Sequence, residues 1–193
     1  MAKKTDDLIK KLTKAMEEVQ TGKRFQHTLG VEFTAAALAM KHDEVLLDAQ
    51  LAGLLHDCAK CLSDEKLIKI CVKNHLDISE VERRNPYLLH GKAGAVLAKS
   101  EFGIEDQNIL NAIQYHTTGR PGMSKLEKII FIADYIEPGR KEAPGLPEIR
   151  KLAFEDLDKA TVRILEDTLA YLKSGKGEID PQTNETYQYY VNK

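Results

Sequence analysis

Apolar residues recur three and four positions apart along most of the chain, and no segment alternates with period two between hairpin turns, so the pattern predicts an all-α domain. Leu8, Ile9, Leu12, Ala15, Met16 and Val19 fall on one face of a first amphipathic helix that ends near Gly22. A second helix is predicted from about Lys23 to Lys41, with Phe25, Leu29, Ala36 and Leu38 among its apolar positions. Val45 to Leu55 is almost continuously apolar, as suits a helix buried on most sides, and it delivers His56-Asp57 at its C-terminal end.

Capping residues mark the later helices. Ser63 before Asp64 and Glu65 predicts an N-cap with two carboxylates against the helix dipole, and a helix to about His75. Asn85-Pro86 predicts a cap with proline at the first helical position, opening a helix that carries His90, Ala93, Val96 and Leu97. Asp106 or a neighbour starts a helix with Ile109, Ile113 and His116 on one side. Ser124-Lys125-Leu126-Glu127 is a capping box, and its helix carries Ile130 and Asp134 one turn apart until Pro138-Gly139 stops it. A last long helix is expected from Pro147 to Lys173, ending at Gly175 and Gly177; for the polar tail Glu178 to Lys193 no structure is predicted.

A chain of 193 residues fits one domain, residues 1–193, with its motifs between 24 and 140 and a C-terminal helix and tail over 147–193. No apolar run approaches the roughly 18 residues of a membrane span, and Met1 to Asp7 resembles neither a signal peptide nor an acyl anchor. The expectation is a soluble, cytoplasmic protein without a membrane partner. With a net charge of −2 and no basic run interleaved with aromatics, a nucleic-acid partner is not expected either. Cys58, Cys61, Cys71 and His75 could supply four zinc ligands, but Cys71 sits in the apolar stripe of Leu67, Ile68 and Val72, so reduced, structural thiols are the better reading.

Of six histidines, His27, His56, His90 and His116 stand on the apolar side of a helix or at its buried end, whereas His42 and His75 are expected to be solvated. Burying imidazoles beside Asp57 and Asp134 costs several kcal/mol per charge unless a cation compensates them, which points to a metal site. Imidazoles and carboxylates without thiolate suit iron, manganese, cobalt or zinc rather than calcium. Neighbouring residues of a regular helix point about 100° apart, so His56 and Asp57 can reach one ion only where the helix ends or kinks.

The order His27, His56-Asp57, Asp134 resembles the H…HD…D pattern of the HD superfamily of metal-dependent phosphohydrolases. The strings Arg24-x-x-His27, His56-Asp57-x-Ala-Lys60, Leu89-His90-Gly91, Tyr115-His116-Thr117-Thr118-Gly119 and Ala133-Asp134-Tyr135-Ile136-Glu137-Pro138-x-Arg140 are similar to those of its bacterial YqeK-type members, which cut diadenosine tetraphosphate symmetrically into two ADP. The resemblance implies an HD-domain helical bundle with a buried metal site. It makes His27, His56, Asp57 and Asp134 the ligands of a divalent or trivalent transition metal, iron before manganese, cobalt or zinc. Lys60, His90, His116, Thr117 and Arg140 would contact the phosphates, with Asp57, Lys60, His90 and His116 as catalytic residues and His27, Asp57 and Asp134 also beside the nucleotide.

Ile179-Asp180-Pro181-Gln182-Thr183 is similar to a C-terminal segment that family members hold near the nucleotide, which adds Ile179 and Thr183 to the nucleotide-binding set. Glu185-Thr186-Tyr187-Gln188-Tyr189 lacks the Arg-Asn pair expected there. The implied partner is a small dinucleoside polyphosphate or nucleoside diphosphate, and the implied assembly a homodimer. The implied chemistry is attack by a metal-activated water, whose pKa falls from 15.7 to about 7 in favourable cases. Lys60, Arg140 and protonated His90 or His116 would stabilise the charge that grows on phosphate, or a histidine would protonate the leaving ADP. His90 and His116 could instead hold a second metal ion. Alternatives are another HD nucleotide phosphohydrolase, acting on a guanosine alarmone or a nucleoside monophosphate, or a metal-bearing nucleotide sensor without turnover.

Overall fold

The computed structural model describes residues 2–140 and 145–193, and these form helices and no strand. In chain order the helices are α1 (Ala2–Val19), α2 (Gly22–Lys41), α3 (Leu46–Leu55), α4 (Asp64–Lys73), α5 (Glu80–Arg84), α6 (His90–Ser100), α7 (Gln107–Gln114), α8 (Lys125–Ile136), α9 (Leu146–Ala153), α10 (Leu157–Tyr171) and α11 (Pro181–Val191). A single 3₁₀ turn, Pro86–Leu89, leads into α6.

The apolar run that predicted a deeply buried helix is α3. Ala49, Leu51, Ala52, Leu54 and Leu55 are all buried, with α1, α2, α7 and α8 packed around them. Burying each such leucine contributes about 1.5–3 kcal/mol, so the helix that presents His56-Asp57 is anchored by its own hydrophobicity. The main core continues through Leu12 and Met16 of α1, Leu38 of α2, Ile113 of α7 and Ile129, Ile130 and Ile132 of α8. A smaller cluster of Ala59, Leu67, Cys71, Leu89 and Ala93 joins α4 and α6 to the turn after α3. Gly91 permits α6 to meet α7 closely, since a Cβ there would lie 2.6 Å from the Gln114 carbonyl oxygen, and the approach brings His90 towards His116.

Both halves of the Ser124 capping box form, and Asp106 accepts from the backbone N–H groups of Asn108 and Ile109. Elsewhere the structure departs from the sequence reading or adds to it, and Ser63, at the N-cap position of α4, makes no side-chain cap bond. The expected helix from Pro147 to Lys173 is two helices, broken at Phe154 to Asp156, because the Asp156 side chain caps α10 by accepting from Lys159 N–H. The tail left without prediction holds α11, capped by Asp180 with Pro181 in its first turn. Asn85 does not cap: the proline after it keeps it out of the helical region (φ −130°, ψ 68°), and its amide donates to the Val81 carbonyl instead. His42 is half-buried rather than solvated, its Nε2 2.7 Å from the Ala153 carbonyl oxygen; His75 is exposed as expected.

Candidate active site

After Leu55 the ladder of α3 tightens. Cys58, Lys60 and Leu62 donate their N–H groups to carbonyls three residues back, at Leu55, Asp57 and Ala59. The change of geometry lets two adjacent side chains face one place, and His56 Nε2 stands 3.5 Å from Asp57 Oδ2. Around them gather His27 from α2, Asp134 from the last turn of α8, His90 from the start of α6 and His116 just past α7. His27 Nε2 lies 3.0 Å from Asp134 Oδ1 and 3.3 Å from His56 Nε2. His90 Nε2 lies 3.1 Å from His116 Nε2 and 3.3 Å from Asp57 Oδ1.

Each ring is held from behind. His56, His90 and His116 place Nδ1 2.7 Å from the backbone carbonyl oxygens of Gly53, Tyr87 and Ile113, always three residues earlier. His27 places Nδ1 3.0 Å from Glu137 Oε1. These acceptors assign the proton to Nδ1, so the Nε2 lone pairs turn inward. Asp57 Oδ1 is buried without a hydrogen bond, because its neighbours at 3.3 and 3.6 Å, His90 and His116 Nε2, are then acceptors like itself. Lone pairs and carboxylate oxygens converging at such distances repel one another unless positive charge stands among them, and the donor set fits a divalent metal ion. Two trios have ligand atoms within 4.8 Å of one another, His27/His56/Asp57 and Asp57/His90/His116.

Burial pushes the Asp57 carboxyl up, but His56, with His116 and His90, outweighs it and holds Asp57 well below the usual carboxylate range. At Asp134 burial is likewise overcome by His27, His56, His116 and Arg140, so both carboxylates are ionised. Burial lowers His90 despite the upward pull of Asp57, which favours its neutral ring. Lys60 is also lowered, chiefly by burial, with Asp57 pulling it back up.

A cleft of about 150 Å³ opens over these groups, lined also by Arg24, Lys60, Thr117 and Arg140. Lys60 Nζ sits 3.3 Å from both ring nitrogens of His90, Arg140 Nη2 donates to Asp134 Oδ1 at 2.7 Å and Arg24 Nη1 to Asp57 Oδ2 at 2.8 Å. Thr117 is shared with a neighbouring cavity of about 230 Å³, walled by Gln114, Tyr115 and Thr118 on one side and Asp180, Pro181 and Gln182 on another. The tail is tied down beside that cavity: Gln182 Nε2 donates to Thr118 Oγ1 at 2.8 Å and to the Gly119 carbonyl, and Glu178 accepts from Arg84 and Asn85.

The model of the HD domain family matches residues 24–139, from Arg24 through every inward-facing histidine to the turn after Asp134. The chain belongs to the HD domain family. It is 40% identical over 172 residues to the symmetrical bis(5'-nucleosyl)-tetraphosphatase of Bacillus subtilis, covering 89% of this chain and 91% of that one. A protein of the same name from Staphylococcus aureus is 38% identical over 184 residues, covering 94% of each. A solved structure from Clostridium acetobutylicum, described as a predicted HD superfamily hydrolase involved in NAD metabolism, superposes with a TM-score of 0.91 at 46% identity, over 95% of this chain and 96% of that one.

The HD fold thus brings Asp57, Lys60, His90, His116, Thr117, Asp134 and Arg140 to one cleft, with His27 and His56 against Asp57 and Asp134 at its base. Ile179 and Thr183 line neither cavity; they bracket the Asp180–Gln182 stretch that does, and Thr183 is buried. The cysteines are not gathered into a donor set among the described residues. Cys58 is buried with its thiol pushed up to about 12 by burial and by Asp57, Cys71 lies in the smaller apolar cluster, and Cys61 is exposed. Two residues of the site went unassigned by sequence. Arg24 stands one turn before His27 on the same helix face, a spacing that could have revealed it. Glu137 reaches His27 across 110 residues of chain, a contact without a local signal.

Proposed function

We propose that this HD protein hydrolyses diadenosine tetraphosphate symmetrically, giving two ADP. The observation that carries the reading is the inward convergence of four imidazoles on an ionised Asp57 whose Oδ1 has no hydrogen bond, beneath a cleft with three cationic side chains. The near full-length similarity to symmetrical bis(5'-nucleosyl)-tetraphosphatases supports the choice of substrate. His27, His56, Asp57 and Asp134 would hold the metal, with iron our first choice and manganese, cobalt or zinc as alternatives. A bound ion supplies the acidity that makes water a nucleophile at neutral pH.

The chain's own residues do the rest. Lys60, Arg24 and Arg140 face the phosphates and offset the charge that grows on their oxygens. His90 and His116, their Nδ1 protons tied to backbone carbonyls, accept a proton at Nε2 or orient a phosphate through Thr117. One nucleoside would occupy the cavity beyond Thr117, against Asp180–Gln182 with Ile179 and Thr183 behind them. All three cysteines are free thiols, in keeping with our placing the protein in the cytoplasm, and no described helix is long and apolar enough to cross a membrane.

The experiment is product analysis of diadenosine tetraphosphate incubated with iron- or manganese-loaded protein, wild type against Asp57→Ala. ADP as sole product, abolished in the variant, supports the reading. AMP with ATP means that another phosphorus is attacked, and absence of turnover moves the substrate elsewhere in the HD family. A second reading of the centre has one observation in its favour: the Asp57/His90/His116 trio has the donor spacing to take an ion of its own.

A further inference from the structure

His56, His90 and His116 lean on backbone carbonyls, which no substitution removes, whereas His27 leans on a side chain. We infer that Glu137 is a positioning residue that fixes the tautomer and ring orientation of His27 for metal binding, and that Gly30 and Gly139 form the cradle holding its carboxylate. The inference rests on the reading of His27 as a ligand.

Glu137 leaves α8 at its C-cap and is pinned by its main chain. Its N–H donates to the Ala133 carbonyl, and its carbonyl accepts from Arg140 N–H at 3.0 Å and from Arg150 Nη2 at 2.9 Å. The side chain is buried, with Oε1 facing His27 Nδ1 and Oε2 accepting from the Gly139 N–H. A Cβ on Gly30 would fall 2.5 Å from Oε2, and one on Gly139 2.9 Å from it, so both glycines leave room for this carboxylate alone.

The chemistry demands a carboxylate. Two donors, the His27 Nδ1–H and the Gly139 N–H, face two acceptor oxygens. Glutamine offers a single acceptor: with its oxygen on Gly139, its amide N–H₂ meets His27 Nδ1 and drives the proton to Nε2, where a metal ligand needs its lone pair; with its oxygen on His27, the N–H₂ is set against the Gly139 N–H. Losing such a partner typically weakens metal binding about 10–100-fold.

The test is Zn(II) affinity, read by competition with a chromophoric chelator, for wild type, His27→Ala, Glu137→Gln and Gly30→Ala, each shown to be folded by circular dichroism. Expected are a loss for Glu137→Gln of about 10–100-fold and a smaller loss for Gly30→Ala, which alters no donor or ligand and puts the better helix former into α2. Long-range ¹H–¹⁵N spectra of the zinc-loaded wild type should show His27 Nδ1 protonated, and those of Glu137→Gln should show the proton lost or shared. Undiminished affinity in His27→Ala overturns the ligand reading and this inference with it. Weakened binding in His27→Ala with wild-type affinity in Glu137→Gln and Gly30→Ala overturns the inference alone, as does a zinc-loaded wild type whose His27 Nδ1 bears no proton.

Discussion

Two trios share Asp57, one through each carboxylate oxygen, and they differ less in their members than in what stands behind them. His27/His56/Asp57 is backed by further acceptors, Asp134 at 3.0 Å from His27 Nε2 and Glu137 at 3.0 Å from its Nδ1. Asp57/His90/His116 is backed by donors, the Thr117 hydroxyl 3.2 Å from His116 Nε2 and the Lys60 ammonium against the His90 ring. Arg24 and Arg140 also reach the first group, at Asp57 Oδ2 and Asp134 Oδ1, but they do so from its carboxylates, whereas Lys60 and Thr117 stand against the imidazoles of the second. On our reading this difference in neighbours assigns the metal to the first trio and phosphate to the second.

The largest effect should follow from removing what the halves share. Asp57→Ala is expected to abolish metal binding and to lower the rate of diadenosine tetraphosphate hydrolysis by on the order of 10²–10³ or more, measured by isothermal titration and product chromatography. The halves should then separate. His56→Ala weakens the metal, while His90→Ala leaves metal affinity unchanged and lowers kcat by about 10²–10⁴ if the ring moves a proton; equal loss of metal in both variants would erase the distinction. Lys60→Ala is expected to lower kcat/KM about 10–100-fold, as for loss of one charge-assisted hydrogen bond, again with the metal retained.

A smaller effect concerns pH. Burial lowers Lys60 from the ordinary lysine range, so its charge is present at low pH and is lost on the way up before that of a solvated lysine. KM for the substrate should therefore rise with pH below that range, and Lys60→Arg should flatten the rise. An unchanged pH dependence in Lys60→Arg would remove Lys60 from the phosphate site.

What the sequence revealed was local or strongly periodic. The apolar run of α3, the capping box of α8 and the inward histidines all write their structure into neighbouring residues. The failures have the opposite character. Ile149, Ala153, Leu157 and Ala160, spaced three and four apart, carry the apolar period across the break between α9 and α10 and mask the Asp156 cap. In α11 the buried residues are Thr183, Thr186 and Tyr190, a helical spacing that a hydropathy pattern does not register. His42 and Glu137 acquire their partners, the Ala153 carbonyl and His27, from more than a hundred residues away.

The division into two halves is tested most directly by counting ions. Protein saturated with Mn(II) and dialysed against ADP would be assayed for manganese per chain, wild type against the His90→Ala, His116→Ala double variant. One ion per chain in both is the expected result. Two ions in the wild type and one in the variant would make the second trio a metal site and contradict the division of labour.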